Sequence, residues 1–437
     1  MSQAAARPSL WSEAFGQAPS SGPSWLARRR QEAFARFEAD GFPRPGDEEW
    51  RQTNVAPIAG TPFALSDPRK HDVHYVPSAS GSGGTIAFLN GLLAGSASRD
   101  LPDGVLVGSL STLLPTHGAM LEPHLAAVAP VARRPFSALN TAFLREGAAV
   151  VVPPKTLVEQ PIQLSYASAP EESPTVAHPR TLILVGEGSQ VTVVETFHRA
   201  RAYGSIRSSL LTNAVTELVL GAGAIVHHVR IVDEDGAWHV GAVQAIQERD
   251  SRLVSHNICL GAALTRLDIG SKLAGSGAEC VLHGLYLAEG HQHVDNHTTL
   301  EHASPHCPSR EMYKGILSGS ARAVFNGRIV VRPDAQKTDA KQSNRNVLLS
   351  GEATVFTRPQ LEIYADDVKC THGATIGRLD EQALFYLRAR GIGEKEARAL
   401  LLRAFAAEIL EQIPVPALRQ SLEQTVSQRL HLELEPA

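Results

Sequence analysis

The feature that most constrains the fold of this 437-residue chain is a succession of short β-rich runs between about residues 146 and 375. Valine, isoleucine, leucine and threonine dominate runs such as TLILVG, QVTVVETF and ARAVFNGRIVV, and glycine or Asn-Gly separates many of them. A sandwich or a barrel has the same texture, but so many strands favour a stacked coil, because a β-solenoid adds coils that contact only their neighbours. The sequence therefore predicts a mainly β protein with a β-solenoid core.

Helical patterns flank the β-rich region on both sides. SWLARRRQEAFARFEADG, near the N-terminus, carries apolar residues at helical intervals, and further helical patterns follow residue 376. This texture predicts three domains: a mixed, helical N-terminal domain at 1–145, the β-solenoid at 146–375 and a helical C-terminal domain at 376–437. We expect the C-terminal helices to cap the end of the solenoid, to dock a partner, or to do both. One of them is expected to present a single apolar stripe, formed by Ala397, Leu400, Leu401, Ala404, Phe405 and Ile409.

Charge and composition exclude several classes of partner. The net charge of -4 is small, which argues against a nucleic-acid-binding protein or one that binds anionic membranes. No apolar run approaches the roughly 18 residues that a membrane span needs, and the N-terminal residues lack the pattern of a signal peptide. The four cysteines are widely spread and form no CxxC pair. We therefore expect reduced thiols and a cytoplasmic location.

Several catalytic motifs are missing from the sequence. It contains no GxxxxGK[ST] phosphate loop, and no GxGxxG follows a predicted strand. A GxSxG nucleophile elbow and an HExxH zinc motif are also missing. We therefore expect no ATP site in this chain, no dinucleotide site of the Rossmann kind and no serine-hydrolase triad.

The stretch VKCTHGATIG (368–377) places Cys370 and His372 two residues apart. In a strand, residues at i and i+2 point to the same face, so the thiol and the imidazole would lie side by side. Such a pair can bind a metal, supply a reactive thiol, or fill space in a packed interior. Lys369 and Lys341 would lower the pKa of the thiol if they approach it.

Histidines crowd into a second stretch, HGLYLAEGHQHVDNHTTLEHASPHC. Imidazole and thiolate bind transition metals, but the spacing matches no zinc pattern. A free-standing metalloenzyme is one alternative, with ligands drawn from His283, His291, His293, His297, His302, His306 and Cys307. A carbohydrate-cleaving solenoid enzyme is another, although Asp366 and Asp367 form the only carboxylate pair near His372 and adjacent strand residues face opposite ways.

Four segments resemble a known family. PQLEIYADDVKCTHGATIGRLDEQALFYLRARGI (359–392) closely resembles the signature region of the SufB/SufD family, whose members are subunits of the SUF iron–sulfur cluster assembly scaffold. VFNGRIVVRPDAQKTDAKQSNRNVLLS (324–350) and VDNHTTLEHASPHCPSREMYKGIL (294–317) resemble the neighbouring segments, and EEWRQTNVAPI (48–58) resembles the N-terminal tryptophan motif. Residues 59–145 match loosely.

Within the family, the sequence looks like the SufD branch. KCTHGAT contains both Cys370 and His372, and KQSNRNVLLS (341–350) lacks the cysteine that SufB chains carry in that segment. A SufB-type acceptor cysteine must then come from another chain. A SufB-type scaffold remains the alternative within the family.

The resemblance implies a right-handed parallel β-helix with helical domains on either side, and a role as a scaffold without catalysis of its own. It implies pairing with a SufB-like chain through the β-helix, and a SufC-like ATPase bound to the C-terminal helices, so that ATP is handled by another chain. A homodimer is the alternative pairing for the isolated protein. Residues expected to dock the ATPase are Leu384, Phe385, Leu387, Leu401 and Phe405.

The resemblance also implies a site. A nascent iron–sulfur cluster would form at the interface between the paired chains, with His372 as an iron ligand and Cys370 as its companion. Sulfur would come from the SufS–SufE pair, mainly through SufB. Reduced flavin is associated with some such complexes, and this sequence contains no motif for it.

Overall fold

The structure is a computed structural model that describes residues 8–17, 22–66, 83–98, 100–200 and 208–432. Its helices are α1 Pro8–Gln17, α2 Ser24–Asp40, α3 Ala56–Gly60, α4 Leu110–Leu121, α5 Pro135–Ala142, α6 Glu381–Arg388, α7 Glu394–Leu410 and α8 Pro416–Leu432, with a 3₁₀ turn at Glu48–Trp50. Among these ranges, no helix is both long and apolar enough to cross a membrane.

Twenty-one strands make up the rest of the regular structure in the described ranges. They are β1 Ala64–Leu65, β2 Gly84–Leu89, β3 Leu92–Ser98, β4 Leu106–Ser109, β5 Gly147–Val152, β6 Ile162–Ser168, β7 Thr175–Ala177, β8 Arg180–Val185, β9 Gln190–Arg199, β10 Leu210–Leu220, β11 Ile225–Asp233, β12 Trp238–Gln247, β13 Arg252–Gly261, β14 Leu264–Leu273, β15 Glu279–Ala288, β16 His293–His302, β17 Pro308–Leu317, β18 Arg322–Val331, β19 Asp339–Leu348, β20 Thr354–Ile363 and β21 Lys369–Gly377.

The strands form two sheets that wind around a common interior. Sheet A runs in the order β4-β5-β8-β10-β12-β14-β16-β18-β20, with β7 paired to β10 and β1 paired to β7. Sheet B runs β3-β2-β6-β9-β11-β13-β15-β17-β19-β21. From β5 onward, apart from the short β7, successive strands alternate between the sheets and pair in parallel, so that each coil adds one strand to each sheet. The predicted β-solenoid is therefore confirmed, with about seven turns.

The interior of the solenoid, here called the lumen, is filled by alternate residues of every strand. Val226, Leu282 and Phe325 belong to one continuous apolar cluster that extends along the lumen. This follows from the strand period of two, because parallel pairing in register keeps each inward row inward from coil to coil.

The outer faces of the two sheets are covered by different helices. Aromatic residues from the N-terminal part of the chain, among them Trp11, Phe34 and Trp50, pack over outward residues of sheet A such as Leu211 and Val240. The C-terminal helices α7 and α8 cover sheet B in the same way. Their buried side chains join Ile258, Leu285 and Ile316, which point out of sheet B.

The expectation that the C-terminal helices cap the end of the solenoid is wrong. They pack along the outer face of sheet B, because that face presents a row of apolar residues that must be covered. Within the described ranges, strand β21 pairs with β19 and with no other strand, and the residues from Thr371 to Gly377 are exposed.

The predicted apolar stripe of α7 is also out of phase. Leu402 and Ala406, which the prediction omits, are fully buried, whereas Leu401 and Phe405 are half-buried. Three leucines in succession, from Leu400 to Leu402, make the apolar side of this helix wide, so its sequence does not define which residues point to the sheet.

A buried ionic network crosses the N-terminal part of the lumen, between strands β8 and β11. The Glu195 carboxylate accepts hydrogen bonds from Thr181 at 2.6 Å and from Thr216 at 2.8 Å, and it lies 2.8 Å from Nε2 of His228. Burial opposes ionisation, but the hydrogen bond from His228 and the charges of His228 and Arg230 outweigh it and lower the pKa of Glu195 to about 2. Buried charge is therefore held in this part of the lumen by a partner of opposite sign.

Tight stacking of turns gives a test of the solenoid register. Gly275 lies in the turn after β14, where a Cβ would come within 2.0 Å of the backbone nitrogen of Arg249 in the turn below. Gly275→Ala is expected to lower the free energy of unfolding by about 2 kcal/mol, because backbone atoms must shift to admit the methyl group. Urea denaturation measures this change.

Gly351→Ala is the matched control, since this glycine also lies in an inter-strand turn and a Cβ there would meet nothing within 4 Å. Its free energy of unfolding is expected to stay within about 0.5 kcal/mol of the parent chain. Equal effects of the two substitutions would contradict the stacking described here.

Candidate functional site

Cys370 and His372 lie on the last strand of sheet B, at the open end of the solenoid. Cys370 aligns with the inward residue Ala340 of β19 and packs against the lumenal apolar cluster. His372 has the same orientation two residues further on, and it is exposed because no strand of the described residues lies beyond β21. The structure therefore brings the two predicted residues together on the inner face of an unpaired edge.

The thiol is not activated in the way that the sequence suggested. Burial raises the pKa of Cys370, and a backbone hydrogen bond to Ala340 only partly offsets this effect. Lys341 and Lys369 each neighbour an inward residue along their strands, so their side chains point outward. The hypothesis that these lysines lower the thiol pKa is wrong for this chain.

Two polar residues lie directly behind His372 in the lumen. Residues Glu311, Gln342 and His372 occupy the same inward row on β17, β19 and β21. Gln342 Nε2 donates to Glu311 Oε2 at 2.7 Å, and both side chains are buried. Burial raises the pKa of Glu311 to about 7, against the opposing hydrogen bonds from Thr298 and Gln342.

The sequence contains a signal for this row that motif reasoning missed. Gln342 precedes His372 by 30 residues, since 372 − 342 = 30, and Glu311 precedes Gln342 by 31, since 342 − 311 = 31. One coil of the solenoid has about this length, so inward residues one coil apart stack on one another. The spacing becomes informative only when the coil length is known.

The rim of the open end is apolar as well as unpaired. Strands β20 and β21 each have a hydrogen-bonded neighbour strand on one side. Large apolar side chains are exposed on and beside them: Phe356, Ile363, Tyr364 (58% exposed) and Ile376 (46% exposed). Unpaired backbone and exposed apolar side chains together define a surface suited to another polypeptide.

The second histidine stretch is dispersed over different faces of the solenoid. His283 points out of sheet B and contacts His256 at 3.2 Å, whereas His297 points out of sheet A and lies 3.0 Å from Asp295. His302 is buried beside Ser309, and burial lowers its pKa to about 4. In the part of the chain that the structure describes, no group of three or more His, Cys, Asp or Glu side chains is arranged to hold a metal ion.

The acidic pair of the carbohydrate-enzyme alternative lies in the turn before β21. Asp366 and Asp367 are both exposed, and Asp367 forms an ion pair with Lys337. Neither residue belongs to the inward row that contains His372.

The residues predicted to dock an ATPase divide into exposed and covered ones. Leu384 is only 3% exposed, whereas its neighbour Phe385 is 74% exposed. Tyr386, which the sequence analysis did not single out, is 56% exposed, and the Arg390 guanidinium carbon lies 3.5 Å from the centroid of its ring. Helix α6 therefore presents Phe385 and Tyr386, and not Leu384, to solvent.

The other predicted docking residues are half-buried: Leu387 on α6, and Leu401 and Phe405 on α7. The last two pack against the apolar cluster over sheet B. The buried ammonium group of Lys314 lies 4.3 Å from the Phe405 ring centroid and pairs with Glu408. Phe405 therefore helps to attach α7 to the solenoid, which limits what it can offer to a partner.

One cavity in the described part of the chain lies away from His372. It has a volume of about 420 Å³ and lies on the outer face of sheet A, beside the 3₁₀ turn. Its walls carry ion pairs, with Arg358 2.7 Å from Glu48 and Arg134 3.1 Å from Glu49. The candidate site is defined by the donor atoms of Cys370 and His372 on β21 and not by this cavity. Neither residue lines the cavity.

Comparison with known proteins identifies the class to which this solenoid belongs. Residues 166–405 match the family profile described as SUF system FeS cluster assembly, SufBD core domain, and residues 8–164 match the one described as SufBD protein N-terminal region. The fold and the match together define a β-solenoid protein of iron–sulfur cluster assembly. The chain belongs to the SufBD family.

Relatives from several organisms agree with this assignment. An iron–sulfur cluster assembly SufBD family protein of Synechocystis is 33% identical over 93% of this chain and 91% of its own length. The iron–sulfur cluster assembly protein SufD of Escherichia coli is 36% identical over 59% of this chain and 60% of its own length, and SufD of Bacillus subtilis is 24% identical over 93% and 94%. The predicted resemblance to SufD is confirmed.

The raised pKa of Glu311 predicts a pH-dependent stability. The unfolded carboxyl ionises near its ordinary pKa of 4.5 and the folded one near 7, so its contribution to stability is lost as pH rises through this window. The substitution Glu311→Gln removes this pH-dependent loss of stability. The stability of the variant relative to the parent is expected to rise by about 2 to 3 kcal/mol between roughly pH 5 and pH 8, measured by urea denaturation.

The matched control is Glu362→Gln, on the outer face of β20, where the carboxylate lies 3.6 Å from Arg328 and is partly exposed. Its effect is expected to stay below about 1 kcal/mol at both pH values, because exposed ion pairs contribute little. A relative stability of Glu311→Gln that does not change with pH would show that Glu311 titrates normally.

Proposed function

We propose that this chain is a non-catalytic scaffold subunit of a SufBCD-type complex. In this proposal it pairs with a SufB-like chain, carries a SufC-like ATPase, and contributes to iron acquisition and nascent cluster formation at the interface with the SufB-like chain. The observation that carries the proposal is the position of Cys370 and His372 on the inner face of the last strand, at an edge that has no neighbour.

Pairing through the open end is supported by its chemistry. Another β-solenoid that abuts β20 and β21 would satisfy their free backbone groups and cover the exposed Phe356, Tyr364 and Ile376. A second copy of this chain has the same complementary end, so the isolated protein can form a homodimer through it. The SufB-like chain is the proposed physiological partner.

The proposed iron site spans this interface. His372 supplies a nitrogen donor and Cys370 a sulfur donor, and both are ligand types that iron accepts in cluster proteins. Two donors leave a four-coordinate site half-filled, so the proposal assigns the remaining donors to the SufB-like chain and to incoming sulfide. The SufS–SufE pair would supply the sulfur, mainly through that chain. Reduced flavin would belong to the whole complex.

Docking of the ATPase is proposed on the C-terminal helices. Phe385 and Tyr386 on α6 form an exposed aromatic pair, and aromatic residues often anchor protein interfaces. Leu387 and Leu401 are half-buried, so they offer less surface to a partner than this pair does. The chain has no phosphate loop of its own, so ATP would be bound by the docked subunit.

In the proposed mechanism, ATP-driven dimerisation of two ATPase subunits draws the C-terminal helices of the paired chains together. Because α7 and α8 are attached to sheet B, their movement would be transmitted to the strands that end at β21. The interface would then open and admit iron and sulfide to His372, a shift of population driven from a distant site. Protonation of the imidazole would later release the iron.

A cytoplasmic location is proposed for this function. The four cysteines, Cys259, Cys280, Cys307 and Cys370, are free, as thiols remain in a reducing compartment.

His372→Ala tests the site. The complex with the SufB-like chain and the ATPase is expected to assemble normally, because the His372 side chain is exposed in this chain and its removal leaves no cavity in the core. Its iron and acid-labile sulfide content is expected to fall about tenfold, since a donor atom is lost. Co-purification and elemental analysis measure the two outcomes.

Thr371→Ala, at the adjacent exposed position that faces outward, is the control and should keep its iron and sulfide. Unchanged cluster loading in His372→Ala would rule out the proposed ligand.

Phe385→Ala with Tyr386→Ala tests the docking surface. The double variant is expected to bind the ATPase at least tenfold more weakly, since exposed aromatic anchors are removed. Its melting temperature should stay unchanged, because both side chains are mostly exposed. Affinity is measured by titration of the ATPase against the purified chain.

Gln382→Ala, at an exposed position on the same helix, is the control and should bind the ATPase as the parent does. Retained affinity in the aromatic double variant would place the ATPase elsewhere.

A further inference from the structure

In the side-chain amide of Gln342, the nitrogen forms a hydrogen bond and the oxygen forms none with the described residues. Its Nε2 donates to Glu311 Oε2 at 2.7 Å, and this bond sets the orientation of the amide while Glu311 is ionised, because a carboxylate oxygen accepts from the nitrogen and not from the oxygen. Its Oε1 is buried and has no hydrogen-bond partner among the residues that the structure describes. A buried carbonyl oxygen without a partner is costly, so its persistence calls for a physical reason.

Gln342, which carries the unpaired oxygen, lies next to His372 in the inward row. Gln342 is the register partner of His372, and strands of a sheet are about 4.8 Å apart, which brings neighbouring side chains of one row within reach of each other. Opposite Gln342, Gly327 of sheet A leaves room for its amide, since a Cβ there would come within 2.3 Å of Gln342 Nε2. Glu311 and Gly327 therefore hold the amide in the lumen with its oxygen free.

We propose that Glu311 and Gln342 are positioning residues for His372, with Gln342 Oε1 accepting the N–H of one imidazole nitrogen so that the other nitrogen is free to bind iron. The inference rests on the proposed function, because it assumes that His372 binds iron. Metal-ligating histidines generally donate their second ring N–H to a carbonyl or carboxylate oxygen, which fixes the tautomer and the ring orientation. Covering of the open end by the SufB-like chain would hold the exposed imidazole against this acceptor.

The role of Glu311 in this arrangement is to set the direction of the amide. Were the amide reversed, its NH₂ group would face His372 and compete for a proton-free ring nitrogen. The interaction that prevents this reversal is the bond from Gln342 Nε2 to Glu311. The pair therefore determines which tautomer the site selects.

Gln342→Met tests the proposal, because methionine has similar length and no strong acceptor. Fe²⁺ is titrated anaerobically into the purified complex of this chain, the SufB-like chain and the ATPase. The dissociation constant is expected to rise about 10- to 100-fold, the usual effect of removing an outer partner of a ligating histidine. Gln360→Met is the matched control, since Gln360 lies on the outer face of β20; it should bind Fe²⁺ as the parent does.

Two further measurements separate positioning from a general structural role. The ¹⁵N NMR signals of His372 report which ring nitrogen carries the proton, and Gln342→Met is expected to convert a single tautomer into a mixture. The double variant Glu311→Gln with Gln342→Glu exchanges the acid and the amide and keeps an acceptor at position 342. It is expected to recover the parent affinity for Fe²⁺ to within about threefold.

The outcomes distinguish the inference from the function on which it rests. Loss of Fe²⁺ binding in His372→Ala together with parent-like affinity and tautomer in Gln342→Met overturns the inference and leaves the proposed function intact. Parent-like Fe²⁺ binding in His372→Ala overturns both. Failure of the exchanged double variant to recover affinity, although it folds and assembles, also overturns the positioning role.

Discussion

The in-register parallel pairing of strands is the interaction on which the rest of the structure depends. Each residue of β17 to β21 inherits its inward or outward direction from the residue one coil earlier, so rows of side chains run along the lumen. Because of this pairing, Cys370 packs against the apolar cluster of the lumen, and His372 lies in the same inward row as Gln342. The pairing also leaves the final strand without a neighbour, so the row ends at the surface. The candidate site is therefore the end of a row, in which Gln342 and Glu311 are the next two residues.

Two buried carboxyl groups of the lumen show how strongly neighbouring side chains determine whether a buried carboxyl group is ionised. Glu195 has His228 and Arg230 beside it, and its pKa falls to about 2 despite burial. Glu311 has hydrogen-bond partners in Thr298 and Gln342, but no cation lowers its pKa. Burial therefore raises the pKa of Glu311 to about 7. Both residues face the same interior, so burial alone does not set their ionisation. The N-terminal part of the lumen keeps the Glu195 carboxylate ionised at neutral pH, whereas Glu311, near the open end, changes charge around neutral pH.

Much of this architecture could be predicted from local sequence patterns. Repeated β-rich runs identified the solenoid because strand period and turn residues are local signals, and the i, i+2 spacing identified Cys370 and His372 as a pair on one face. The covering of sheet B by α7 and α8 was not predictable in this way, since it depends on which strand faces remain apolar after winding. The three consecutive leucines from Leu400 to Leu402 likewise prevented a prediction of which side of α7 is buried. Glu311 and Gln342 were missed because their relation to His372 spans whole coils, and turns of unequal length change that spacing.

The two ends of the solenoid differ in what they can accept. At one end the sheets finish in β3 and β4, which pair antiparallel with their neighbours, and β4 is only four residues long. At the other end β20 and β21 offer long parallel strands beside apolar side chains. A molecule with one such end can join another like it face to face, but the resulting pair has no equivalent surface left on which a third could add. Stacking of strands from one molecule to the next therefore stops at two molecules and does not continue into a fibre. In such a pair, the two lumens meet at the junction between the molecules.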